Sequence, residues 1–193
     1  MSPKRGVTRW TTLRREHVAE CRVFTVERAR TRSPKDGGEH DFYRILSADW
    51  VQVVPITAAG EIVMIRQYRP GADAVTLEIP GGLVDDGEAP ADAAARELLE
   101  ETGYRAARLR PLGTLNPNPA LFANRLHAFI AEEAEHVAEI RNDPSEHTVV
   151  ELVPRERLPE LLRAGAVDHA LVVATLWHYW HACVAGLSGS ASD

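Results

Sequence analysis

The sequence has little that could cross-link it, anchor it or draw it to a polyanion. Only two cysteines, Cys21 and Cys183, occur in 193 residues. They are too few for a disulfide framework and lack zinc-type spacing, so both are expected to be reduced and buried rather than reactive. No apolar run approaches the roughly 20 residues of a membrane span; the longest, ALVVATLW at residues 170–177, is followed by His178 and His181. The opening residues, MSPKRGVTRWTTLRREHVAE, are charged throughout and have no apolar centre. That argues against a signal peptide or membrane anchor and makes the cytoplasm the expected location. A formal net charge of −6 leaves no overall footprint for nucleic acid or an anionic membrane, and any anionic substrate must be held locally. Neither an internal repeat nor a low-complexity linker divides the chain.

What is present suffices for a core: 45% of the residues are hydrophobic, enough for one domain with extensions. CRVFTVERARTRS and DFYRILSADW, joined by the Gly-rich KDGGEH, read as two N-terminal strands in a hairpin. VQVVPIT and EIVMIRQYR flank AAG and predict a second hairpin turning at Gly60. AVTLEIP is a short strand closed by Pro80, and RLRPLGTL, NRLHAFIAEE and HTVVELVP are three more. RERLPELLRAG and a stretch from Asp168 to about Ala185 predict two closing helices, with the GLSGSASD tail expected to be disordered.

The stretch GLVDDGEAPADAAARELLEETGY, residues 82–104, stands apart. Pro90 suits a first helical turn, Ala93, Ala94, Ala95, Leu98 and Leu99 favour helix, and Gly103 suits the position past its end, which predicts a helix over 90–102. At about 100° per residue, Ala91, Ala94, Ala95, Leu98 and Thr102 share one face, and Glu97, Glu100 and Glu101 cluster on the other, outside the core. Like charges at these spacings repel, and the helix dipole disfavours anions in the last turns. A solvated acidic face is the bland reading; a divalent cation with hard oxygen ligands, Mg²⁺ or Mn²⁺, would offset the repulsion.

Gly82, Glu88, Arg96, Glu97, Leu98, Glu100, Glu101 and Gly103 stand at the spacings of the Nudix hydrolase signature, which this stretch closely resembles. Tyr104 departs from it, at a packing position where the family usually has an aliphatic residue. The resemblance implies an α/β Nudix fold, a mixed β-sheet sandwiched between helices, here preceded by an N-terminal antiparallel extension. It also implies metal-assisted attack of water on a nucleoside diphosphate linked to another group, with more than one ion. Glu97 and Glu101 match direct metal ligands, Glu100 a ligand acting through water, and the carbonyl of Gly81 a backbone ligand. Glu88 and Arg96 match a pair that braces the loop, together with Gly82 and Gly103. The implied division is an N-terminal β extension over 1–49, a Nudix hydrolase domain over 50–187 and a tail over 188–193.

Outside the signature, IRQYRPG followed by LEIPGG resembles the ADP-ribose pyrophosphatase and nucleoside-diphosphate-sugar branch, and Pro119 falls where that branch carries a subgroup proline. Arg69 matches a substrate-contacting arginine of the branch, the alternative being an exposed strand-end charge. Glu78, at a strand end beside the metal loop, is open between a ligand or substrate contact and a structural hydrogen bond. For the general base, RNDPSEHTVVELVP supplies Asp143, Glu146 and Glu151. Glu146 fits best, although Pro144 stands where the closest pattern puts the base, and Glu151 reads as a surface residue. His178 and His181 lack an evident third metal ligand, and Trp177 and Trp180 read as core or interface. Trp10, Tyr43 and Trp50 are candidates to stack a nucleobase, and in the branch resembled the N-terminal segment crosses to a second subunit, which implies a homodimer. The expected activity is Mg²⁺-dependent hydrolysis of ADP-ribose or a related nucleoside diphosphate sugar. A nucleoside triphosphate or dinucleotide pyrophosphohydrolase and a non-catalytic ligand-sensing module are the alternatives; no nucleic-acid or membrane partner is expected.

Overall fold

A computed structural model describes residues 6–184, and the predicted 188–193 tail lies outside them. The chain divides into two compact units: residues up to Ala48 with Asn116–Asn124, and Asp49–Leu115 with the residues from Arg125 on.

The first unit is a three-stranded antiparallel meander, β1 (Thr11–Glu20), β2 (Thr25–Arg32) and β3 (Glu39–Leu46), in the order β1-β2-β3. The sequence predicted only the last two. β1 was illegible because its faces are charged rather than alternately apolar, and it is held by cross-strand ion pairs instead. Glu16 sits opposite Arg28 and bonds to it, and Glu27 takes Arg15 from one side and Arg44 from the other. Cys21 is exposed in the turn after β1, contrary to the expected burial, because Cys21 N–H closes a tight turn on the Phe24 carbonyl at 2.9 Å and leaves no cover above it.

The second unit contains β4 (Trp50–Pro55), β5 (Glu61–Arg69), β6 (Ala74–Glu78), α1 (Pro90–Thr102), β7 (Tyr104–Leu115), β8 (Leu126–His136), β9 (Thr148–Pro154), α2 (Leu158–Ala164) and α3 (Ala170–Tyr179). Its strands form a mixed sheet β4-β8-β7, with β4 parallel to β8, and an antiparallel sheet β6-β5-β9. The turn at Gly60 forms as expected, with Gly60 N–H bonded to the Thr57 carbonyl, but the strands on either side of it part. β4 joins β8 and β5 joins β6 and β9, with a single bridge, Ile56 to Ile62, left at the turn. The cause is burial on both faces. Val51 and Val53 pack with Phe129 and Ala131 against Ala93, Ala94 and Leu98 of α1, whereas Val54 and Ile130 pack against Val172, Leu176 and Tyr179 of α3. Such a strand belongs in the middle of a layered fold, and the mixed sheet is sandwiched by helices as expected.

The predicted helix over 90–102 is α1 to the residue. Pro90 occupies its first turn, and Gly103 ends it in the left-handed region at φ 73°, its N–H returning to the Leu99 carbonyl. Its faces differ from the expected ones: Ala91 and Ala95 are exposed, and Glu101 is buried at 3% exposure. Among the described residues no helix is long and apolar enough to cross a membrane.

Candidate active site

The segment between β6 and α1 runs along the free edge of β4. Val51 and Val53 N–H donate to the carbonyls of Gly82 and Pro80, each at 2.9 Å, and Val84 N–H donates to the Asp49 carbonyl at 2.8 Å. This edge pairing leaves the backbone little freedom and delivers the loop to the C-terminal half of α1.

Arg96 sits at the centre of the loop. Its Nε and Nη2 donate to the two carboxylate oxygens of Glu88, both at 3.0 Å, and Nη2 also reaches the Leu83 carbonyl at 3.0 Å. Nη1 donates to Glu97 at 2.9 Å and Glu100 at 3.2 Å. One planar guanidinium therefore ties the loop to two glutamates, which a point-charge ammonium could not do. Glu88 is held below the usual carboxylate range by its Arg96 bonds.

Glu101 has a different environment. It is 3% exposed, and Gly81 N–H donates to its Oε2 at 2.8 Å. Burial pushes its pKa up to about 8 against that hydrogen bond, and the charges of Glu97 and Glu146 add to the rise. Burial likewise raises Glu97 to about 6, partly opposed by Arg96. Gly82 is required by close approach, since a methyl group there would run into the Glu97 carboxylate.

These groups line a cavity of about 540 Å³ whose walls all come from the second unit. Arg69, Glu78, Gly81, Glu97, Glu100, Glu101, Asp143 and Glu146 all face it, so the predicted residues of β5, β6, α1 and the loop before β9 meet there. That last loop is fastened to α1: Arg141 N–H donates to the Glu100 carbonyl at 2.8 Å, and the Thr148 hydroxyl donates to the Glu101 carbonyl at 2.7 Å. Glu151 points elsewhere and pairs with Arg66 at 2.6 Å.

Arg69 and Glu78 are bonded to each other, which the sequence did not reveal. Nε and Nη2 of Arg69 donate to Glu78 at 2.9 and 2.7 Å, leaving its Nη1–Nη2 edge for another oxygen. Burial opposes ionisation of Glu78, but its bonds from Arg69 and Thr76 and the charge of Arg69 hold its pKa below the ordinary value. Pro119 belongs to the first unit, in a turn closed by Leu121 and Phe122 N–H on the Asn118 carbonyl. His181 lies tilted against Trp177, at 3.9 Å between ring centroids, and bonds to its carbonyl. Tyr104 is half-buried against the α1 core and meets His136 edge-on at 5.3 Å.

Among the described residues no three carboxylate, imidazole or thiol groups are already gathered at metal-ligand distance, because Arg96 draws Glu97 and Glu100 while Glu101 turns to Gly81. The donor set nonetheless fits a hard divalent cation: oxygen-only ligands on one wall of one cavity, with buried carboxylates whose charge is costly unless compensated. Lining residues that escaped the sequence reading as parts of the metal and phosphate site include Gln52, His169 and Leu171. The signal for His169 was its place just before the apolar run of α3, where it serves as the N-cap.

Comparison with known proteins adds the family context. Residues 46–176 match the model of the NUDIX domain. The chain is 34% identical over 161 residues, covering 81% of it and 75% of the relative, to a CMP-5'-(N-acetyl-N-hydroxy-3-aminopropyl)phosphonate hydrolase of Streptomyces rubellomurinus. It is 36% identical over 121 residues to an ADP-ribose pyrophosphatase of Bacillus subtilis, covering 62% of this chain and 65% of that one. Among solved structures, that of an ADP compounds hydrolase superposes with a TM-score of 0.82 at 26% identity, covering 97% of this chain and 99% of the other.

Proposed function

The chain belongs to the NUDIX family, and from that premise we propose that it hydrolyses the diphosphate of ADP-ribose or a related nucleoside diphosphate sugar, with Mg²⁺, to a nucleoside monophosphate and a sugar phosphate. Relatives named ADP-ribose pyrophosphatase and ADP compounds hydrolase make it a pyrophosphohydrolase of that type. The observation that carries the finer reading is the meeting of Glu97, Glu100, Glu101, Arg69 and Glu146 on one cavity.

Glu97, Glu100 and Glu101, with the carbonyl of Gly81, are the groups that would hold divalent ions. Such ions, when bound, neutralise phosphate oxygens and acidify water. The protein's own groups do the rest. Arg96 and Glu88 fix the loop, so that Gly81 and Gly82 set where Glu101 and Glu97 point. The free Nη1–Nη2 edge of Arg69 is shaped for two phosphate oxygens, and Glu78 keeps the guanidinium from swinging away. Glu146, exposed at the cavity mouth on a loop fastened to α1, accepts the proton of the attacking water on a carboxylate oxygen. Bond breaking between the two phosphoryl groups then needs only in-line placement, the usual protein contribution to phosphoryl transfer.

The first unit supports a homodimer as part of the same reading. Its sheet exposes Leu13, Val18, Phe42 and Tyr43, and β1 presents an open strand edge, which a second copy would cover by twofold pairing. A substrate panel tests the function: with magnesium, ADP-ribose or another nucleoside diphosphate sugar is expected to give a higher kcat/KM than any nucleoside triphosphate or dinucleotide. A preference for triphosphates would overturn the reading.

A further inference from the structure

The loop before β9 is strapped to the end of α1 at several points. Val137 and Ala138 N–H donate to the Gly103 carbonyl at 2.9 and 3.1 Å, Arg141 N–H to the Glu100 carbonyl at 2.8 Å, and the Thr148 hydroxyl to the Glu101 carbonyl at 2.7 Å. The last carbonyls of an α-helix have no partner within it. Those of Glu100 and Glu101, two of the glutamates that face the cavity, are therefore completed by the residues on either side of the span 142–147. That span carries Asp143 and Glu146, both on the cavity, and turns back on itself where Glu146 N–H donates to the Asp143 carbonyl at 2.9 Å.

Thr148 does more than close the span. It is buried, and its hydroxyl, besides donating to the Glu101 carbonyl, lies 3.0 Å from Oδ1 of Asn142. One small polar group thus joins the first residue of the span, the last turn of the helix and the first residue of β9. Thr148 pairs with Gln67 of β5, so it stands on the face of that sheet from which Arg69, two residues further along β5, reaches the cavity. The sheet fixes the hydroxyl, and the hydroxyl fixes both span and helix. Glu146 is itself exposed, so its place relative to the glutamates of α1 is set by the backbone that carries it. A general base acts only within hydrogen-bond reach of its water, and a displacement of about 1 Å can cost about 100-fold in rate.

We propose that Thr148 is a positioning residue for the hydrolysis: its hydroxyl holds the span 142–147 in register with the last turn of α1, so that Glu146 meets the attacking water from a fixed place. The proposal rests on the reading of Glu146 as the general base, and Asp143, the second carboxylate of the span, keeps the two separable.

Thr148→Val keeps the shape and strand preference of threonine and removes the hydroxyl, whereas Thr148→Ser keeps the hydroxyl. In the metal-free protein, trypsin should cut Thr148→Val after Arg141 about tenfold faster than the wild type, and Thr148→Ser at the wild-type rate. With magnesium, on ADP-ribose or on ATP if the substrate panel gives that the higher kcat/KM, kcat of Thr148→Val should fall about tenfold with KM nearly unchanged, and serine should restore it. The same substitution made on top of Glu146→Gln should cost nothing further, because the group it positions is already gone. Wild-type cutting or wild-type kcat in Thr148→Val, or losses that multiply in the double variant, overturn the proposal. If Glu146→Gln alone is fully active, the base reading fails separately and Asp143→Asn takes its place in the double variant. Multiplied losses there, or full activity in Asp143→Asn as well, overturn the role of Thr148. Should the valine variant not fold, Asn142→Ala breaks the loop half of the link alone and is held to the same outcomes.

Discussion

Replacing Glu101 by glutamine separates its cost to the fold from its use in the site. Burial raises Glu101 to about 8 from an ordinary 4.5, so the folded protein binds a proton there that the unfolded chain releases. A raised carboxylate gives a stability that is fully present below the unfolded value near 4.5, declines as pH rises, and levels off above the folded value near 8. By pH 7, in the absence of divalent metal, the loss amounts to about 3 kcal/mol. Glutamine keeps the size and an oxygen for Gly81 N–H, but has nothing to ionise. With EDTA present, Glu101→Gln should therefore be the more stable protein at pH 7 and above, by about 6–12 °C in melting temperature, and should converge with the wild type near pH 4. Magnesium should stabilise the wild type increasingly as pH rises and the variant far less. Turnover with magnesium should fall at least ~100-fold in the variant, a barrier increase of ~3 kcal/mol. Parallel melting curves against pH for the two metal-free proteins would refute the buried-charge argument, and near-normal turnover would remove Glu101 from the site.

Gly82→Ala should fold, because the added methyl meets the movable end of Glu97, but the displaced carboxylate should lower turnover by about 100-fold; an unaffected rate would mean the position of Glu97 is unimportant. Arg96→Lys cannot satisfy Glu88, the Leu83 carbonyl, Glu97 and Glu100 together, so urea unfolding should show a loss of about 2 kcal/mol along with lost activity. Gly103→Ala forces a side chain into φ 73° and against the Ala138 carbonyl, and should cost at least about 1 kcal/mol with kcat preserved in the folded fraction. Light scattering at micromolar concentration should give twice the 21.3 kDa chain mass; a fully active monomer would rule out the dimer.

What the sequence disclosed was local in origin. α1 could be delimited because Pro90, the alanines, Leu98 and Gly103 act within a turn or two of themselves, and its acidic cluster could be found because the spacing lies on one helix. The Gly60 turn was equally local, but the destination of the strands beyond it was not: β4 is claimed by β8, more than seventy residues later, because both of its faces are buried. β1 failed the periodicity test for the same reason in reverse, its alternation being one of ion pairs with β2 rather than of apolar side chains. Glu101 fell between these cases. The sequence reading groups it with Glu97 and Glu100 outside the core, although at 100° per residue it falls only about 20° from Ala94, at the edge of the apolar stripe of α1. The Gly81 amide approaches it from the loop beside β4, and Thr148 of β9 bonds to its own carbonyl, so segments distant in sequence bury the carboxylate. The motif therefore names the residue correctly, while the raised pKa that makes a bound cation energetically useful arises only when those segments close over it.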